Sequence, residues 1–203
     1  MLGLPTVTEI QKQLPKTRIF DKMDMSSSLK NTFDDDVSRI NIVNMLTLKT
    51  IPGLHEGGVV KSVYVLQVLL KKEKYDRKSI LLLSKKIPQN IVLVLQFKEK
   101  SQLAVFQDVL HTTEWKDTKE WNLRIEGNTL LEVWENIVRQ ISGISLEEGK
   151  ELNQQITESE EQRKLMAKID ALEKKIFAEK QSRRKMELFE EMSVLKKKLK
   201  DRN

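Results

Sequence analysis

The sequence predicts an α+β protein: a largely antiparallel sheet with helices packed on it, followed by a C-terminal helical hairpin or coiled coil. Three observations carry that prediction. Short β-branched apolar runs alternate with helical periodicities through the first three quarters of the chain, the last quarter contains no glycine and no proline, and that last quarter repeats aliphatic residues at steps of four and three. The implied division is a globular domain over 1–149 and a charged helical tail over 150–203.

The first 25 residues read as a helix-and-turn opening punctuated by Leu4-Pro5 and Leu14-Pro15, because proline disfavours helix in the residue before it. Ser26-Ser27-Ser28 then offers an N-cap, and Leu29, Phe33 and Val37 recur at helical spacing, which predicts a helix over about 28–38. A strand follows over Ile40 to Leu46. Its partner spans Val59 to Leu70, reached through Pro52-Gly53 and Gly57-Gly58.

Residues 76–87 form the next predicted helix, with Ile80, Leu83 and Ile87 on one side and Pro88 as its stop. Ile91 to Phe97 and Leu103 to Val109 pair as a hairpin about the polar tip Glu99-Lys100. Beyond a polar stretch holding Trp115 and Trp121, Leu130, Val133, Trp134, Ile137, Val138 and Ile141 mark a strongly amphipathic helix that Gly143 closes. This order of elements predicts helices on one face of the sheet.

In the tail, Leu165, Ile169, Leu172 and Ile176 step by four, three and four, and Leu188, Met192, Leu195 and Leu199 repeat the pattern. The stretch from Glu179 to Lys185 between them is wholly polar, so a hairpin turning there is expected over one unbroken rod. Most of a helix's stability comes from packing an apolar face. Two narrow stripes therefore need cover from each other, from the globular domain, from a second copy or from another protein.

Composition limits the functional classes. The 203 residues are 39% hydrophobic and 33% charged, against norms of roughly 45–50% and 25%, so part of the chain has no thick core. The formal charge is +6, and residues 150–203 hold 15 basic against 11 acidic side chains, which places +4 of the excess in the tail. There is no cysteine, hence no disulfide, thiolate metal site or cysteine nucleophile. No apolar run approaches the roughly 20 residues of a membrane span, and the N-terminus lacks a secretory signal, so a cytoplasmic protein is expected.

No catalytic, cofactor or metal constellation is predicted. Consecutive carboxylates at Asp34-Asp35-Asp36 diverge by about 100° on a helix and read as a solvated helix end. His55 and His111 lack the companions that zinc needs, and Gly57-Gly58 lacks phosphate-loop spacing. A metal-dependent nuclease core would fit the order of elements, and Gln67 could stand in its metal-ligand position. Leu69, however, occupies the place of the required lysine. Arg183, Arg184 and Lys185, together with Lys196, Lys197 and Lys198, are candidate contacts for phosphate or an acidic partner.

Leu2-Gly3-Leu4-Pro5, Leu14-Pro15-Lys16, Lys85-Lys86-Ile87-Pro88, the Leu130 to Ile141 helix and the Glu179 to Leu188 segment resemble the bacterial domain-of-unknown-function family 4391. The resemblance supplies no catalytic residue. It implies a setting beside a helicase and a DNA methyltransferase, in restriction-like or anti-phage clusters. The resulting expectation is a non-enzymatic accessory subunit or adaptor whose seam, Leu165, Ile169, Leu172, Ile176, Leu188, Met192, Leu195 and Leu199, docks on a helicase or methyltransferase. Self-association through the tail, sequence-independent DNA binding and a degenerate nuclease are the competing expectations.

Overall fold

The computed structural model describes residues 2–22, 26–143, 152–179 and 181–200. The chain divides into two compact units, Met1–Ser145 and Leu146–Asn203. In the first, a mixed sheet is built from β1 (Glu9–Gln13), β2 (Val37–Leu46), β3 (Val63–Leu70), β4 (Asn90–Phe97), β5 (Lys100–Gln107) and β6 (Val109–Thr112), neighbours in that order. A two-residue strand, β7 (Lys116–Asp117), adds to the start of β5. The helices are α1 (Lys16–Lys22), α2 (Ser27–Asp36), α3 (Arg77–Lys86) and α4 (Leu130–Ser142).

The pairings are antiparallel except β3 with β4, which run parallel and are joined through α3. A parallel pair cannot be closed by a tight turn, and a crossover helix is its usual connection. Val63, Val65, Leu66 and Val68 of β3 are buried, as are Ile91 through Leu95 of β4 without interruption. Such unbroken apolar runs belong to strands covered on both faces.

Both faces are covered. Leu66, Val68, Leu93 and Leu95 share a core with Ile19 of α1, Phe33 of α2 and Ile80 and Leu83 of α3. Val65, Val92, Leu103 and Val105 alternate with them and point the other way, where α4 packs across β5 and β6. The expectation of helices on one face is thus corrected: α1–α3 and α4 sandwich the sheet.

Local signals explain the helix ends. Ser26 caps α2 by accepting from Leu29 N at 3.3 Å, and Asp76 caps α3 by accepting from Lys78 N at 2.8 Å. Thr129 caps α4 through Glu132 N, while the Glu132 carboxylate accepts from Asn128 N at 2.8 Å. Gly143 ends α4 with φ +71°, a left-handed conformation suited to glycine.

One junction departs from expectation. Asp36, anticipated as a solvated helix end, is 1% exposed. Its carboxylate accepts from Asp76 N at 2.7 Å and pairs with Lys72 Nζ at 2.8 Å, while its carbonyl accepts from Lys71 N. A buried carboxylate persists only with such partners, so Asp36 ties the α2–β2 junction to the β3–α3 junction. Asp34 instead pairs with Lys16 at 2.7 Å. Nearby, Tyr75 donates to Gln102 Oε1 at 2.7 Å.

Alkaline titration tests this corner. The hydrogen bond to Asp36 raises the Lys72 pKa above its ordinary 10.5, and burial raises that of Tyr75 above 10.0. In both cases the folded state keeps its proton to a higher pH than the unfolded state does. Stability is therefore full below about pH 10 and falls as pH rises further. Tyr75→Phe should cost about 1 kcal/mol at neutral pH, from the lost hydrogen bond, and make the alkaline decline shallower. Urea unfolding across pH 8 to 11 measures both, and parallel curves for the two proteins would count against this account.

Candidate functional site

The second unit holds α5 (Leu152–Ala178) and α6 (Ser182–Lys200), which pack on one another as an antiparallel hairpin. The connection is confined to 179–181. There Glu179 N donates to Lys175 O, and Gln181 N donates to Glu179 Oε1 at 3.0 Å. Arg183, Arg184 and Lys185, expected at the turn, occupy the first turn of α6 instead. With α5 ending at Ala178 and α6 beginning at Ser182, the basic run falls within the helix.

Ile169, Leu172, Ile176 and Met192 are buried together, with Leu188 and Leu195 partly buried against them. Leu165 is half-buried, and the side chain of Leu199 lies outside the described residues. The stripes expected to dock on a partner therefore cover each other. Docking through them would require the hairpin to open.

What remains open is a flank of the hairpin. Glu173 and Lys196 each follow a seam residue by one position, a rotation of about 100°, and their side chains meet at 2.8 Å. That contact shows that positions one past the seam, on both helices, share one side of the hairpin. Met166 follows Leu165, Phe177 follows Ile176 and Phe189 follows Leu188, so all three lie on this side. Met186, one past the half-buried Lys185, joins them. All four are exposed, Phe177 at 92%. Sequence reasoning centred on the seam passed over them, although an aromatic residue immediately after a seam position was a visible signal.

The candidate phosphate contacts are partly engaged. Lys196 is held by Glu173, Arg183 lies 3.6 Å from Glu187, and Arg184 lies 3.9 Å from Glu179. Lys197 and Lys198 are exposed.

On the sheet, Gln67 sits opposite Asn41 in the β2–β3 register. Asn41 Nδ2 donates to Gln67 Oε1 at 3.1 Å, Gln67 Nε2 donates to Gln96 Oε1 at 2.7 Å, and Gln96 Nε2 donates to Lys98 O at 3.0 Å. Each carbonyl oxygen of the first two links is already accepting from a neighbouring amide. Magnesium is ordinarily held through one or two carboxylates, and this row supplies amides only. Among the described residues no group of three His, Cys, Asp or Glu side chains could hold a metal ion. His55 is exposed in the loop before β3, whereas His111 is buried on β6.

These features sit on a chain whose residues 2–199 match the family model described as "Domain of unknown function (DUF4391)". The fold and its helical appendage thus define an α+β domain with a C-terminal helical hairpin, and the chain belongs to the DUF4391 family. Neither a curated protein nor a solved structure matches it. Among the described residues no helix is long and apolar enough to cross a membrane.

The seam and the flank make opposite predictions. Leu172→Ala should destabilise the hairpin by about 2–5 kcal/mol, as for other buried leucines. Amide exchange protection in α5 and α6 should then fall at least about thirtyfold, with the β3 and β4 amides unaffected. Phe177→Ala should change protection by no more than about 0.5 kcal/mol.

Proposed function

We propose that this protein is a non-enzymatic accessory subunit of a DNA-processing assembly, docking through the outer flank of its helical hairpin. The observation that carries this reading is the exposure of Met166, Phe177, Met186 and Phe189 on one side of a hairpin that has already spent its seam on itself. Exposed apolar side chains set along one side of an element commonly mark protein interaction sites, and aromatic and methionine residues are the types enriched at interface centres. The family resemblance makes a helicase or a DNA methyltransferase encoded beside it the partner of first choice, in a restriction-like or anti-phage setting within the cytoplasm.

Co-purification with the products of adjacent genes tests the proposal in three forms of the protein: the full chain, a chain ending at Gly149, and the double variant Phe177→Asp/Phe189→Asp. The full chain should retain a partner, and the other two should lose at least about nine-tenths of it. Equal recovery by all three would end the hairpin-docking reading.

Sequence-independent DNA binding is the second reading, favoured by the exposed Lys197 and Lys198. Each neutralised phosphate contributes a slope of about −0.9 to log K against log salt. Two free lysines would therefore lose about tenfold in affinity between 50 and 200 mM salt, whereas six basic contacts would lose about a thousandfold. With three of the six candidates beside carboxylates, the shallow slope is expected. A thousandfold loss that Lys197→Gln/Lys198→Gln reduces to about a hundredfold would favour DNA as the principal partner.

A further inference from the structure

Arg139, near the end of α4, is half-buried with its Nε shielded from solvent and unpartnered, and no hydrogen bond or ion pair engages its guanidinium among the described residues. A partly buried guanidinium without a counter-charge costs free energy, and such groups are ordinarily paired. It lines a groove of about 560 Å³ between α4 and the segment 121–126, floored by Leu103 of β5. That volume falls within the roughly 300–1,000 Å³ of small-molecule sites and exceeds what a lone ion needs.

The walls of the groove are held in place. Arg124 N donates to Gln140 Oε1 at 2.9 Å, and Gln140 Nε2 donates to Arg124 O at 2.8 Å, so the 121–126 segment is clamped to the helix. Asn136 Nδ2 donates to Glu126 Oε2 at 3.0 Å, which occupies the one acidic side chain of the lining among the described residues. Trp121 is fixed by its indole N–H, which donates to Ser101 O at 3.1 Å, and Lys116 Nζ lies 5.1 Å from its ring centroid. The Arg124 side chain is exposed and unpaired among the described residues.

We propose that this groove binds a nucleoside phosphate, either free or at the end of a nucleic-acid strand. The guanidinium groups of Arg139 and Arg124 take the phosphate, for which the planar fork is suited, and Trp121 supplies an aromatic surface for the base. Two cations of the lining, Arg124 and Arg139, stand against a single carboxylate among the described residues, already hydrogen-bonded to Asn136. This balance favours a phosphate dianion over a carboxylate. The inference does not rest on the hairpin reading, since every residue it uses lies in the first unit.

Titration calorimetry on the full chain with adenosine monophosphate, adenosine, inorganic phosphate, and one oligonucleotide with and without a 5′-phosphate tests it. Binding should require both parts of the ligand, with adenosine and phosphate each at least tenfold weaker than the monophosphate or the phosphorylated strand. Arg139→Gln and Arg124→Gln should each weaken binding at least tenfold, Arg139→Lys should recover part of the loss, and Glu126→Gln should tighten it. Preference for the phosphorylated strand over the mononucleotide assigns the site to strand ends, and the reverse assigns it to a free nucleotide. Arg124 is exposed, so its variant keeps the fold and remains informative where Arg139→Gln does not fold. No binding of either phosphorylated ligand, or binding that both arginine variants leave unchanged, overturns the proposal.

Discussion

Parallel backbone pairing between β3 and β4 is the constraint on which the first unit depends. It forces a crossover, which α3 provides, and it places two strands of nearly unbroken apolar sequence side by side in the sheet. Such strands have two greasy faces, and each needs a cover. The α1–α3 layer serves one, anchored where Asp36 receives the backbone N–H of Asp76 at the head of α3. The other face falls to α4. Once α4 lies over Leu103 and Val105, the 121–126 segment that precedes it must run along its side, and the space left between them is the groove that holds Arg139.

The second unit meets the same demand at a smaller scale. Each helix has only a narrow stripe, and the cover nearest in the chain is the stripe on the other helix. With four buried side chains at its centre among the described residues, the hairpin has little apolar surface to spare. It nevertheless leaves Met166, Phe177, Met186 and Phe189 in water. Four large apolar side chains on one flank of so small a unit are costly to expose in isolation, and a partner that covers them would add to the stability of the hairpin itself.

How legible these elements were in the sequence follows from how local their causes are. The α4 helix was readable because six apolar residues recur at helical spacing, and the hairpin because its two stripes are separated by a wholly polar segment. By contrast, β1 was missed because Glu9 to Gln13 contains one apolar residue and sits at the sheet edge, where neither face is buried enough to force alternation. The two-faced cover could have been inferred from Ile91 to Leu95, five consecutive apolar residues that alternation cannot accommodate. Asp36 was misjudged because its partners, Lys72 and the Asp76 backbone, are about forty residues away, and no local pattern announces them. Arg124 and Arg139 are each ordinary in sequence and come to line one groove only when α4 folds back.

The polar groups of the first unit separate into closed and open sets. In the Asn41–Gln67–Gln96 row each amide donates to the next carbonyl, so the row runs in one direction and satisfies itself. A closed row of this kind knits three strands together and leaves little for a ligand to claim. The Asp36 junction is closed in the same sense. Arg139 is different: the Glu126 carboxylate that shares its groove is hydrogen-bonded to Asn136, while its own shielded Nε has no acceptor among the described residues. An unanswered cation in a rigid, partly apolar groove and an unanswered apolar flank on the hairpin are surfaces of different chemistry on different units. Under the two proposals, one surface would engage a charged ligand and the other a protein, and neither engagement would need the other's residues.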